Sequence, residues 1–322
     1  MDDLFMAALV VVGIPAALVG YILGVEFVLR IFPQRYRSKI RPWLWILPAG
    51  LFVFVFLIYP AIGTLIDSFK DRRSEDFVGL ANYEYVFSSR EVIGAITNNV
   101  LWLVLFTALT VGFGLVIAIL LDRVRYESAA KSVIFLPMAI SFVAAGVIWS
   151  VVYAFDAPGT TQTGPLNAIA TGLGSDPIAW LRNGTTGTYA LIIIGVWMWT
   201  GFCMVILSAG LKGISVDLLE AARVDGANEW HVFRHIVLPL LLPTMAVVST
   251  TMVIVALKTF DIVYVTTNGR FNTEVLANRM YNELFNFSQF GRAAAIAIVL
   301  MLAISPILIA NVRRFRDQEA MR

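Results

Sequence analysis

Charge is scarce in this chain: Asp, Glu, Lys and Arg supply 14% of its 322 residues. A soluble domain carries roughly 25%, so most of this surface is not built to face water. Positives and negatives nearly cancel, to +2, which removes the strong basic field a nucleic-acid partner would need. Cysteine is almost absent. Cys203 stands alone in an apolar run, which excludes an intrachain disulfide and a cysteine-built metal site and leaves packing as its expected role. Histidine occurs twice, as His231 and His235. Their i, i+4 spacing suits a metal, but no Glu follows the first, and a site needs three or four ligands. They are expected to form a solvated pair. No Gly-x4-Gly-Lys-Ser/Thr stretch is present to cradle phosphates, so nucleotide hydrolysis is not expected of this chain.

Apolar surface is what the chain has in excess. Hydrophobic residues make up 59%, and the mean hydropathy is +0.79. Crossing ~30 Å of hydrocarbon takes ~20 mainly apolar residues. Seven runs qualify, at about 7–30, 44–67, 97–121, 133–154, 188–211, 240–264 and 293–312. The first is expected to be a retained anchor and not a cleaved leader. Met1-Asp2-Asp3 precedes it where a leader has basic residues, the run is too long, and no small-x-small site follows.

Loop charge sets the orientation, because Lys and Arg collect on the cytoplasmic side. Fifteen fall on one side: Arg30, Arg35, Arg37, Lys39 and Arg41; Arg123, Arg125 and Lys131; Lys212, Arg223 and Arg234; Arg313, Arg314, Arg316 and Arg322. Eight fall on the other, where segment 68–96 offsets its positives with Asp71, Glu75, Asp76, Glu84 and Glu91. The expected fold is an all-α polytopic membrane protein of about seven transmembrane helices, N-terminus outside and C-terminus inside. Residues 1–42 are expected to form an anchor helix with a basic cytoplasmic loop, and residues 43–322 a six-helix core. Two long segments then lie outside, 68–96 and 155–187. The second is full of turn formers such as Pro158-Gly159, Gly164-Pro165 and Asn183-Gly184. It is either a connector or a landing surface for an external partner.

Residues 212–239 join the fifth and sixth spans on the cytoplasmic side. They read as two short helices around a glycine corner. Ser215 is placed to cap the first, with Asp217 and Glu220 complementing its dipole, and Gly226 to end it in the left-handed conformation. Asn228 can cap the second, and Pro239 marks the start of the sixth span. Leu218, Leu219, Ala222 and Val224 offer the first helix an apolar face, and Ala221 and Ala222 permit close approach. Trp230, Phe233 and Val237 form an i, i+3, i+7 stripe on the second.

Glu220-Ala221-Ala222, three residues, Gly226, nine residues, Ile236-x-Leu238-Pro239 resembles the complete EAA signature of binding-protein-dependent ABC importer permeases. The resemblance covers roughly residues 44–315. Asp225-Gly226-Ala227, Tyr59-Pro60, Gly79-Leu80-x-Asn82-Tyr83, Leu136-Pro137 and Phe290-Gly291-Arg292-Ala293-Ala294-Ala295 are similar to the carbohydrate branch. Within it the placement of these motifs resembles the maltose permease F-type or the glycerol-phosphate permease A-type subunit. Residues 267–278 and the ending Asn311-Val312-Arg313-Arg314-Phe315-Arg316 resemble alpha-glucoside permeases. Departures are Val216, where Pro is common, and the lack of Gly-Gly-Pro in the 267–278 loop. The resemblance implies that the first short helix is a coupling helix inserting into a cytoplasmic ATPase. Glu220 would meet a basic ATPase residue there. It further implies two ATPase subunits that hold ATP and Mg2+, a second homologous permease subunit, an extracytoplasmic solute-binding protein, and no cofactor or catalysis in this chain. The location would be the bacterial inner membrane. The cargo would be a sugar or oligosaccharide, an alpha-glucoside such as a maltose- or trehalose-like sugar.

Sugars stack on aromatic faces and need partners for their hydroxyls. Ser141 and Tyr153 in the fourth span, Trp197 and Trp199 in the fifth, and Lys258, Thr259 and Asp261 in the sixth are therefore candidates for the substrate path. The resemblance matches Ser141 to a substrate-contacting serine of the maltose permease. It also places Gly195 where that protein has a sugar-contacting asparagine, and Trp199 where the family has a glycine. Plainer roles stand beside these: interfacial or packing tryptophans, and mutual neutralisation of Lys258 with Asp261 and of Glu26 with Arg30. An ion-coupled secondary transporter is the rival function, and buried ionisable residues and repeated broken helices are too few to favour it. A membrane enzyme would need catalytic groups gathered at one depth, and the sequence has none.

Overall fold

The computed structural model describes the backbone of residues 2–122 and 124–320, and the side chains of nearly all residues from 19 to 306. Arg123 and the side chains of the 311–322 ending lie outside the described residues. Among the described residues the chain is helical, with no strand beyond one antiparallel bridge between Lys70 and Phe77.

Five helices are long and apolar enough to cross a bilayer: Val11–Ile31, Gln34–Asp67, Arg90–Leu121, Gly187–Lys212 and Glu229–Thr266. The expected fourth span is not one rod. Glu127–Ala139 and Phe142–Val152 meet at 99°. Pro137 lies in a 3-10 turn, Ile140 then goes extended (φ −87°, ψ 141°), and Ser141 starts a new helix. Pro disfavours helical conformation before it and removes a donor, and the backbone turns here. The expected seventh span is the shorter apolar stretch Phe290–Pro306, within a helix that continues to Ala320.

The chain divides into two compact units, one up to Thr64 and one from Leu65. In the first, Asp2–Ile31 and Gln34–Val53 pack as a helical pair. The Tyr21 hydroxyl donates to the Leu44 carbonyl. Glu26 was expected to pair with Arg30. Its carboxylate instead binds Arg41 at 3.0 Å, because the second helix brings a cation across.

In the second unit, Gly187–Lys212 is the central post, buried along most of its length. A helix that is apolar all round belongs in a core. It packs closely against Arg90–Leu121. A Cβ on Gly114 would stand 2.6 Å from the Cys203 Cβ, so glycine permits this approach. Cys203 is fully buried and serves packing, as expected.

At the Gly187 end of this post, segments distant in sequence are tied together. Asn82 donates to the carbonyls of Ser68 and Lys70 at 3.0 and 2.7 Å. Gly291 lies so close to the Lys70 carbonyl that a Cβ would stand 2.1 Å from it. Arg292 sits 4.0 Å above the Tyr85 ring. Tyr85 donates to Glu283 at 2.6 Å, and Arg279 pairs with the same carboxylate at 2.7 Å. The sequence motifs at 79–83 and 290–295 are thus two halves of one contact. Asn98 donates to the carbonyls of Asn272 and Glu274, both at 2.8 Å. Burial pushes the Glu274 carboxyl above its ordinary range, against the hydrogen bond from Asn278.

Candidate functional site

A cavity of about 310 Å³ opens beside the middle of the central post. Trp102 and Phe106 come from Arg90–Leu121, Gly195 and Trp199 from the post, and Phe142 from the helix beyond the bend. Lys258, Thr259, Phe260 and Asp261 complete the wall. Four of the seven residues expected on a substrate path are therefore gathered here: Trp199, Lys258, Thr259 and Asp261.

The polar wall exists because the helix fails at this point. Leu238–Leu257 ends at Lys258 (φ −94°, ψ 7°), Phe260 adopts φ −140°, and a short helix, Asp261–Thr266, restarts. The interruption breaks the helical i, i+3 geometry expected to bring Lys258 and Asp261 together. No ion pair between them occurs among the described residues, and both are exposed on the chain. Thr259 is turned inward, its hydroxyl donating to the Val255 carbonyl at 3.3 Å.

The aromatic wall rests on Gly195. A Cβ there would stand 2.8 Å from the Trp102 ring and 3.2 Å from that of Phe106. The glycine thus makes room for two aromatic rings against the post. Trp199 stacks with Phe142 at 6.4 Å. The buried Trp102 indole N–H has no acceptor among the described residues.

The other three candidates lie elsewhere. Trp197 is two residues from Trp199, about 200° around a helix, and packs edge-on against Trp149 at 5.7 Å. Tyr153 is buried, its hydroxyl donating to the Ala190 carbonyl at 3.1 Å, between Trp149 and Trp180. The exposed Ser141 accepts from the Ala144 N–H at 3.1 Å and caps the helix whose first residue is Phe142. Sequence reasoning missed Trp102, Phe106, Phe142 and Phe260. The i, i+4 spacing of Trp102 and Phe106 opposite a glycine was the available signal.

At the Lys212 end of the post lies the segment 212–239. Val216–Val224 is a helix with no buried residue. Gly226 adopts φ +86°. The Ala227 N–H bonds the Ala222 carbonyl at 3.0 Å, and the Gly226 N–H bonds that of Arg223 at 3.0 Å. This is the Schellman closure that a left-handed glycine allows. Ser215 has cap-like backbone angles but makes no side-chain cap bond. Asn228 does cap, accepting from the His231 N–H at 2.8 Å. Arg223 reaches across the corner to Glu229 at 2.7 Å. Pro239 lies in the first turn of Leu238–Leu257, where the sixth span was expected to begin. A π-turn at Phe233–Val237 absorbs it, and the chain runs on into Leu238–Leu257. A π-turn widens the backbone just where a proline ring would crowd the preceding turn.

The first helix has two faces. Leu219 and Arg223 turn toward an apolar groove shared with Leu115, Ile119, Trp230 and Phe233. Val216, Asp217, Glu220, Ala221, Val224 and Asp225 are exposed, Val224 to 86%. Ala222 lies between these faces, partly covered, and Ile236 and Leu238 sit on the continuing helix. His231 and His235 stack at 4.1 Å, and no metal-binding group of three ligands occurs among the described residues.

Several apolar helices and a cavity walled by an interrupted helix suit a transport path through a membrane. The family described as "Binding-protein-dependent transport system inner membrane component" matches residues 110–317, and the chain belongs to it. It is therefore the non-catalytic permease part of an ABC transporter, seated in the inner membrane. The osmoprotective compounds uptake permease protein GgtC of Synechocystis is 53% identical over 87% of this chain and 100% of its own. The alpha-glucoside transport system permease protein AglF of Rhizobium meliloti is 46% identical over 87% and 83%. Among solved structures, a bacterial ABC transporter involved in import of the acidic polysaccharide alginate superposes with a TM-score of 0.75 at 25% identity, covering 88% of this chain and 99% of that one.

Proposed function

We propose that this subunit forms the translocation path for a sugar or oligosaccharide, specifically an alpha-glucoside, handed over by an external binding protein. The cavity carries this proposal. Aromatic faces from Trp102, Phe106, Phe142 and Trp199 surround a few hydrogen-bonding groups, Lys258, Thr259 and Asp261. Sugars are bound by such combinations, ring C–H faces on aromatics and hydroxyls on polar groups. The 46% identity to an alpha-glucoside permease supports the same cargo.

In this proposal the Lys212 end faces the cytoplasm, and Ser215–Gly226 docks one of two ATPases that bind ATP and Mg2+. Glu220, Ala221 and the exposed Val216 and Val224 form the contact, while Ile236, Leu238 and Pro239 pass its movement into the span that carries Lys258. A second, homologous permease subunit completes the path, and the binding protein lands at the Gly187 end. A second reading, an osmoprotective compound as cargo, is favoured by the 53% identical relative. Uptake into proteoliposomes holding the full importer, measured across maltose, trehalose and non-glucoside osmolytes, separates the two. Saturable, ATP-driven maltose or trehalose uptake is the expected result. Uptake confined to osmolytes without a glucosyl group would refute the sugar assignment.

A further inference from the structure

Four aromatic rings form a ladder leading away from the cavity. Phe260, in the cavity wall, stacks with Tyr264 at 5.2 Å and touches Tyr281 at 5.3 Å. Tyr264 and Tyr281 meet at 5.0 Å, and Tyr281 meets Phe285 at 4.8 Å. The last ring is the most open, with Phe285 64% exposed, while Tyr281 is half-buried. A π-turn at Asn282–Asn286 presents that last ring.

Two features mark this face as one that meets solute. Asp261 and Tyr264 are i and i+3 on the short helix Asp261–Thr266, so they share a side. An exposed carboxylate facing hydrocarbon is costly, so this side turns away from lipid. The hydroxyls of Tyr264 and Tyr281 stand 3.5 Å apart, a weak mutual contact that leaves both available to another partner. Rings that offer an apolar face and a hydroxyl together suit a molecule with C–H faces and hydroxyls of its own.

We propose that Phe260, Tyr264, Tyr281 and Phe285 form a stacking track on which a pyranose ring passes between the outer surface and the cavity. The track rests on the sugar-import proposal and extends it with a second subsite outside the cavity. Successive ring faces about 5 Å apart let a sugar shift from one to the next without losing all its contacts.

The test uses the complete importer in proteoliposomes, with maltose-loaded binding protein. Tyr281→Leu and Phe285→Leu together keep apolar volume and remove the ring faces. Maltose taken up per ATP hydrolysed is expected to fall about fivefold. Binding-protein-stimulated ATP hydrolysis and co-purification of the second permease subunit should be retained. Unchanged uptake per ATP in the double variant would overturn the track. So would loss of the second permease subunit from the purified complex, because the ladder would then be a subunit contact. If wild type transports no alpha-glucoside, the sugar proposal itself falls, and the track with it.

Discussion

Trp197 and Trp199 show how half a turn of a helix separates two roles. Trp199 faces the cavity, and Trp197 packs against Trp149 on the other side. Trp199→Ala is expected to change which sugars compete for uptake while the ATPases still co-purify. Trp197→Ala should leave that profile alone and destabilise the subunit, on the order of 2 kcal/mol for a partly buried aromatic. A competition assay and thermal unfolding in detergent, run on both variants, check the pair. Gly195 works at the same scale. Its missing side chain leaves the space to the Trp102 and Phe106 rings.

Two broken or bent helices matter most at the scale of elements. The 99° break after Glu127–Ala139 places Phe142 at the cavity, and the interruption at Lys258–Phe260 frees Lys258 and Asp261 from each other. The coupling corner is an element of the opposite kind, built to hold one shape. Gly226 closes the first helix, Asn228 opens the second, and Arg223 to Glu229 ties them. Reversing the charge on the exposed face tests its role. Glu220→Lys should insert normally yet reduce ATPase co-purification and uptake about tenfold, as like charges at a contact cost several kcal/mol. Retained co-purification with full uptake would show that the ATPase docks elsewhere. The corner and the Asn228 cap were legible in the sequence, because Gly and Asn at such positions act through local backbone geometry, whereas the cap bond expected of Ser215 does not form. The π-turn at Phe233–Val237 was not legible, since it leaves no mark in residue type.

For the whole molecule, the lack of a phosphate loop and the family membership point one way. Uptake in intact cells should stop when ATP is depleted with the ion gradients held, and continue when the gradients are collapsed with ATP held. The reverse pattern would restore the ion-coupled alternative. The tie between 79–83 and 290–295 at the Gly187 end also belongs to this scale. It joins the start and the finish of the permease core through Asn82, Gly291 and Arg292.

The scarcity of charge, the long apolar runs and the Glu220–Pro239 spacing are properties of the chain as written, and they determined class and membrane habit and marked out the segment proposed for coupling. Hydrocarbon admits few backbone solutions, so composition alone carries that far. The cavity is different. Its residues are scattered from Trp102 to Ile262, and which of them converge depends on helix rotation, one sharp bend and one interrupted turn. Those follow from side-chain packing between segments far apart in sequence. Only the tertiary structure could separate Trp199 from Trp197 and bring Phe142 to its side.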